Sequence, residues 1–345
     1  MRKLNYSNYL KDKSFDFEKA YYKKLVLSKF EKPKKDSKNK TLVELLNNSD
    51  IFKTKKGKDR KKISILRFYR YFIETKKLKN LELKKVILEK PNVLIEEIGK
   101  IQSKTLLNEI IKDIFNYSGK FQSDVITPFF TENFDFRTCF YCNKDFITNF
   151  KKEKNELVST FQLDHFYDKG TYPYLALSFY NLIPSCPTCN SSKVKGSANT
   201  FEHDSKVGKF QNETCIAPNL QNFDFHQKVK FKLFLEPSYK NLHIKSKDDI
   251  DIPLKEQFSD IYTKYIEIFK LNERYKAHKD LVYEMIQKAE LYPESRLKEL
   301  QNLTGIPFQQ IKKDIFNLID ENEDLSKKPF SKLIKDISEE LGLIK

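Results

Sequence analysis

Two C-x-x-C pairs, Cys139/Cys142 and Cys186/Cys189, constrain this chain more than any other feature of its 345 residues. Each pair is a knuckle whose two sulfurs can take adjacent corners of a tetrahedron. The 43 residues between the pairs exceed the spacing of common zinc ribbons, so a whole motif is threaded between the knuckles. Four thiolates close the coordination shell of a zinc ion and leave no position for water, so the expected Zn2+ is structural. A disulfide pair and an iron–sulfur cluster are the alternatives. The opening residues, Met1-Arg2-Lys3-Leu4-Asn5-Tyr6, lack the apolar segment of a secretory signal, which favours metal over disulfides and a cytoplasmic location. No apolar run reaches the roughly 18 residues of a membrane span, so no membrane partner is expected. The fifth cysteine, Cys215, stands alone and reads as a small buried apolar residue.

Between the knuckles, apolar and polar residues alternate through Ser159-Thr160-Phe161-Gln162-Leu163-Asp164-His165, which predicts a strand. A regular strand places Asp164 and His165 on opposite faces, so a bend at its end is needed for both to reach one phosphate. His165 can take a proton from water near neutral pH, and Asp164 offers a hard oxygen to Mg2+ or Mn2+. An isolated Asp-His pair is a weak signal. Its position between two knuckles makes it a candidate site.

Taken together, Leu163-Asp164-His165-Phe166, Asn181-Leu182-Ile183-Pro184-Ser185-Cys186, Cys189-Asn190 and Lys193 resemble the HNH endonucleases. The resemblance covers residues 139–193. It implies an α+β chain in which a small zinc-stapled ββα-metal core is flanked by helical N- and C-terminal regions. It also implies that His165 is the general base for the attacking water, and that Asp164 and Asn190 ligate one catalytic Mg2+ or Mn2+. Asn181 would tie the loop between the strands and orient His165, and Lys193 would contact the substrate phosphate. Asn190 stands where members that spell H-N-H carry their last His. A shorter stretch, Phe269 to Lys279, is similar to the C-terminal region of HNH proteins in bacterial anti-phage defence, especially the HNH subunit of Septu-type and retron-associated systems. That likeness implies a defence effector partnered by an ATPase or another defence-system subunit. The chain has no G-x-x-x-x-G-K-[ST] loop and is not expected to hydrolyse nucleotides itself.

Charge divides the chain unevenly. Residues 1–125 carry 32 Lys and Arg against 16 Asp and Glu, whereas residues 126–345 carry 32 of each, so the net +16 lies wholly upstream of the knuckles. Such a region suits a phosphate backbone, DNA first and RNA as an alternative, although a solvated Lys-rich surface reads the same way. Three regions are expected: a basic, mainly helical 1–125, an HNH domain over 126–215, and a β-hairpin followed by helices over 216–345. Helical patterns cover Thr41–Asn47, Ile63–Thr75, Leu81–Glu89 and Asn92–Phe115, between basic loops at 31–40 and 53–62. Lys228–Leu235 reads as a strand able to pair with Asn241–Lys245, and helices are expected near 255–270, 272–290, 293–303, 307–320 and 329–341. The residues leave three functions open: a metal-dependent DNA endonuclease, an RNase using the same site, and a zinc-stabilised nucleic-acid-binding module without catalysis. His203 follows the motif closely and could add a phosphate contact, although it reads more simply as a helix-end or loop residue; His226, His243 and His278 have no partner pattern and read as structural or surface residues.

Overall fold

Asp16 opens the first helix, α1 (Phe17–Leu25), because its carboxylate accepts the Lys19 amide that the first turn leaves unpaired. The computed structural model describes residues 1–30, 82–99, 111–112, 115–119, 121–152, 157–198, 200–201, 203–204, 209–210, 215–235, 244–319 and 323–344. The patterns at Thr41–Asn47 and Ile63–Thr75 and both basic loops lie outside these residues. Within them, α2 (Leu83–Leu88) buries Leu83, Val86 and Ile87. α3 (Pro91–Ile98) starts on a proline that suits a first helical position and stops at Gly99, whose φ of 81° is open to glycine. The expected Asn92–Phe115 helix is therefore cut at Gly99. Beyond a π-helical turn at Gln122–Ile126, α4 (Thr127–Asn133) completes the N-terminal helices.

These helices back onto an aromatic cluster. Tyr6 meets Phe17, Phe130, Phe134, Phe136 and Phe179 with ring centroids 4.7–6.4 Å apart. Such pairs add about 0.5–1.5 kcal/mol each beyond their burial. The Tyr6 hydroxyl donates to the Leu182 carbonyl at 2.6 Å, and Tyr21 reaches the Leu177 carbonyl at 3.1 Å. The residues before the first knuckle thus pack directly behind the segment between the knuckles. Buried side chains from Met1 to Ile337 form one hydrophobic cluster that draws on all three expected regions.

Among the described residues, strands pair in antiparallel twos. β1 (Asn149–Lys151) pairs with β2 (Leu157–Ser159), and β3 (Gln162–His165) pairs with β4 (Leu182–Ser185). β5 (His203–Asp204) pairs with β6 (Lys209–Phe210). The expected strand at 228–235 is divided. A helical turn, α5 (Phe225–Lys228), leads into β7 (Val229–Phe231), and β8 (Phe234–Leu235) follows. Residues 241–243 of the expected partner lie outside the described residues. β8 takes β9 (Ile250–Asp251), and β7 takes β10 (Leu254–Glu256). This choice places Val229, Phe231, Ile250 and Leu254 in the core.

The C-terminal helices follow the expected apolar periods with shifted ends. They are α6 (Thr263–Ile268), α7 (Leu271–Lys276), α8 (Lys279–Leu291), α9 (Glu294–Thr304), α10 (Phe308–Phe316) and α11 (Ser331–Glu340). Residues 254–256 of the expected first helix are strand instead, and the second is broken between α7 and α8. α11 lies against β7, and the Asp336 carboxylate accepts the Phe231 amide at 2.9 Å. No helix among the described residues is long and apolar enough to cross a membrane.

Candidate functional site

The first knuckle is shaped by Asn143. Its φ of 53° turns the chain into the left-handed region, which Asn tolerates better than other residues with a side chain. The turn lets the Asn143 amide reach the Cys139 carbonyl at 2.8 Å and the Lys144 amide reach the Cys142 sulfur at 3.4 Å. The second knuckle leaves β4 directly, and the Cys189 amide points at the Cys186 sulfur at 3.4 Å. All four thiols are buried, and their sulfurs lie within 4.8 Å of one another. Cys142 and Cys186 sulfurs are 3.9 Å apart. A tetrahedron with metal–sulfur bonds of about 2.3 Å has edges of about 3.8 Å, so the four residues fit a closed metal shell. None of them forms a disulfide.

Arg274 on α7 serves the same cluster. Its guanidinium donates to the Cys189 sulfur at 3.0 Å and lies 3.5 Å from the Asp145 carboxylate. Burial opposes ionisation of Cys142, but hydrogen bonds from the neighbouring thiols and the Arg274 charge bring that thiol well below its ordinary range. Burial pushes Cys139 and Cys189 up. A tetrathiolate with a divalent ion carries two negative charges, and Arg274 is the cation placed to offset one. Arg274→Ala is expected to lower metal affinity about 10–100-fold in a chelator competition, the usual cost of losing a group that supports a ligand. An unchanged affinity would show that Arg274 only packs.

The β3–β4 hairpin carries the remaining sequence-predicted residues. Its register sets Asp164 opposite Ile183 and His165 opposite Leu182. The chain then turns out of the strand at Phe166, whose amide meets the Asn181 carbonyl at 3.0 Å. Asn181 is fully buried and closes the loop between the strands: its side chain accepts the Tyr167 amide at 2.9 Å and donates to the Tyr167 and Leu175 carbonyls. That loop brings the Ala176 carbonyl to 2.9 Å from His165 Nε2. A carbonyl only accepts, so Nε2 carries the proton and Nδ1 keeps the lone pair.

Asp164 is held differently. Tyr141 donates to its Oδ2 at 2.6 Å, and the Lys195 ammonium lies 3.1 Å from that oxygen and 3.2 Å from Oδ1. Lys195 also donates to the His165 carbonyl at 2.7 Å. Asn190 bonds the exposed Gln162 side chain at 2.9 Å, and no hydrogen bond joins it to Asp164. A divalent ion at Asp164 would have to displace or share a carboxylate with an ammonium, so as folded the pair does not present a joint site for Mg2+ or Mn2+.

The third part of the expected ββα unit also differs. Residues 187–197 form consecutive turns rather than a helix. Ser191 donates its hydroxyl to the Thr188 carbonyl at 2.8 Å, and Gly196 adopts a φ of 51°. Both features compete with helical bonding. Lys193 is exposed on these turns, while Lys195 is the lysine that turns inward.

Two further residues join the site: Tyr117, which has no signal in the sequence, and Lys169, whose place just past His165 allows a role in substrate placement. The Tyr117 ring stands edge-on to the His165 ring, with centroids 4.4 Å apart, and the Lys169 ammonium sits 5.0 Å over the Tyr117 centroid. Beyond them is a cavity of about 340 Å3 lined by Lys112, Tyr117, Asp168, Lys169 and Ala176 among others. Asp168 caps its own turn through the Thr171 amide at 2.8 Å, and a Cβ on Gly170 would meet that carboxylate at 2.8 Å and have to displace it. Cys215 and His226 are structural in place: Cys215 is in the main core, and His226 is partly buried on α5. His278 lies against Phe330, with ring centroids 4.7 Å apart. The His203 and His243 side chains lie outside the described residues. No family model, no curated protein and no solved structure matches this chain.

Proposed function

We propose that this chain is a nuclease of the HNH type, hydrolysing phosphodiester bonds in DNA with a Zn2+ held by the four thiols as its structural staple. The observation that carries this reading is the tautomer of His165: the Ala176 carbonyl takes Nε2, so a neutral imidazole offers Nδ1 to a water. Burial first, then the charges of Lys169 and Lys195, push His165 down to about 3, with the Ala176 carbonyl working the other way. The base is therefore neutral throughout the physiological range. The defence role and the ATPase-type partner rest on the resemblance of Phe269–Lys279 and belong to the same proposal.

The test is cleavage of plasmid, single-stranded DNA and RNA, with Mg2+ or with chelator, by wild type and His165→Ala. The variant should keep its zinc and lose about 10²–10⁴-fold in rate, the range for removing a general base. Equal cleavage by His165→Ala would sink the mechanism. A second reading, a zinc-stabilised nucleic-acid-binding module, is favoured by Asp164, whose carboxylate is committed to Lys195 and Tyr141. Binding without cleavage, by wild type and by variants in which His165 is uncovered, would establish it.

A further inference from the structure

A base that acts on a polynucleotide must be reachable, yet Asp164 and His165 are only 3% and 8% exposed. Part of what covers His165 comes from outside the hairpin. Tyr117, itself 4% exposed, lays its ring edge against His165, and its hydroxyl is buried with no hydrogen-bond partner among the described residues. Burial, and after it the Asp164 charge, raise the phenol above its ordinary range, so the hydroxyl lies within the field of that carboxylate. Lys169 holds the ring from the other side as a cation over its face.

We propose that Tyr117 is an inhibitory stopper on the His165–Asp164 pair, and that the site opens when the Phe115–Gly119 segment swings the ring away. The inference rests on the nuclease reading for its purpose, but not for its geometry. Three features suit a stopper better than a fixed core residue. The buried hydroxyl gains nothing where it sits, and an unpaired polar group costs the closed form stability. The ring borders a cavity of about 340 Å3, within the size range of small-molecule sites and so roomy enough for a displaced phenol. The cation over its face is exposed Lys169, a contact that a phosphate arriving at the cavity mouth would compete for. Regulation would thus enter through the N-terminal region, whose Phe115–Gly119 turn carries the stopper.

The experiment is labelling of His165 with diethylpyrocarbonate, read by peptide mass spectrometry, with the partly exposed His278 as internal reference. An open form populated at about 10% or less protects His165 about tenfold or more in wild type. Tyr117→Ala should abolish that protection and leave His278 unchanged, whereas Tyr117→Phe, which keeps the ring, should remain protected. Where wild type cuts nucleic acid, Tyr117→Ala should cut faster. Wild-type labelling of His165 as fast as His278 would overturn the stopper whether or not any variant folds. So would equal protection in wild type and a folded Tyr117→Ala. If the labelling result holds and no protein cleaves any nucleic acid, the stopper stands and the nuclease reading falls.

Discussion

Removing zinc with a chelator is expected to unfold the segment around the β3–β4 hairpin, with a loss of stability larger than the whole protein can absorb. Structural zinc contributes an apparent ~10–16 kcal/mol to small zinc domains, against a net stability of about 5–15 kcal/mol for ordinary proteins. The knuckles are central to this fold. The Cys142 carbonyl accepts the Tyr275 hydroxyl at 2.6 Å, and the Tyr141 ring stacks on Phe269 at 4.1 Å, so α6 and α7 dock on the first knuckle. Asn143 binds the Leu325 carbonyl at 2.8 Å and accepts the Lys332 amide at 3.0 Å, which ties the start of α11 to the same turn. Four buried thiols without a metal leave these contacts on a strained, partly charged centre. Cys186→Ser should act in the same direction by removing one corner of the shell. The readout is thermal unfolding and limited proteolysis before and after chelation, with zinc measured per chain. A protein purified without metal that melts cooperatively at the same temperature would refute the staple.

The thiols were legible because coordination chemistry dictates their spacing, and the first strand of the hairpin was legible because alternation ran straight into Asp164-His165. The strand over Lys228–Leu235 was legible by alternation too, but its partner was not. Pairing is decided by which distant segments supply buried residues, and Ile250 and Leu254 do so for β8 and β7. The cations and phenols of the site left no trace. With 64 Lys and Arg and 18 Tyr in the chain, no spacing marks Lys195, Arg274, Tyr117 or Tyr141 as special. Each acquires its role from tertiary placement alone: Lys195 turns inward from a run of turns where the resemblance implied a helix. Their neighbour Lys193, favoured by its position after Asn190, is left in solvent.

Asp336→Ala is expected to be the most damaging single substitution away from the thiols. Asp336 and Lys332 face each other one turn apart on α11 at 2.7 Å, and they are 1% and 0% exposed. Removing the carboxylate strands a buried ammonium, a defect that costs about 3–5 kcal/mol. It also orphans the Phe231 amide of β7, which adds about 1–3 kcal/mol when buried. Replacing both charges, as in Lys332→Met with Asp336→Leu, should recover the first cost and not the second, because the amide still lacks an acceptor. The pH response separates the two. Burial lowers Lys332 to about 8, and Asp336 is the main group holding it up. In Asp336→Ala the folded lysine must fall further below its unfolded value of 10.5. The unfolded chain then binds more protons than the folded one, so stability rises with pH through that window. Denaturant midpoints of Asp336→Ala should accordingly recover between pH 7 and 9, more steeply than wild type, while the double variant shows no such rise. A loss below about 1 kcal/mol at pH 7, the scale of an exposed ion pair, would mean that α11 is not held on the sheet by this pair.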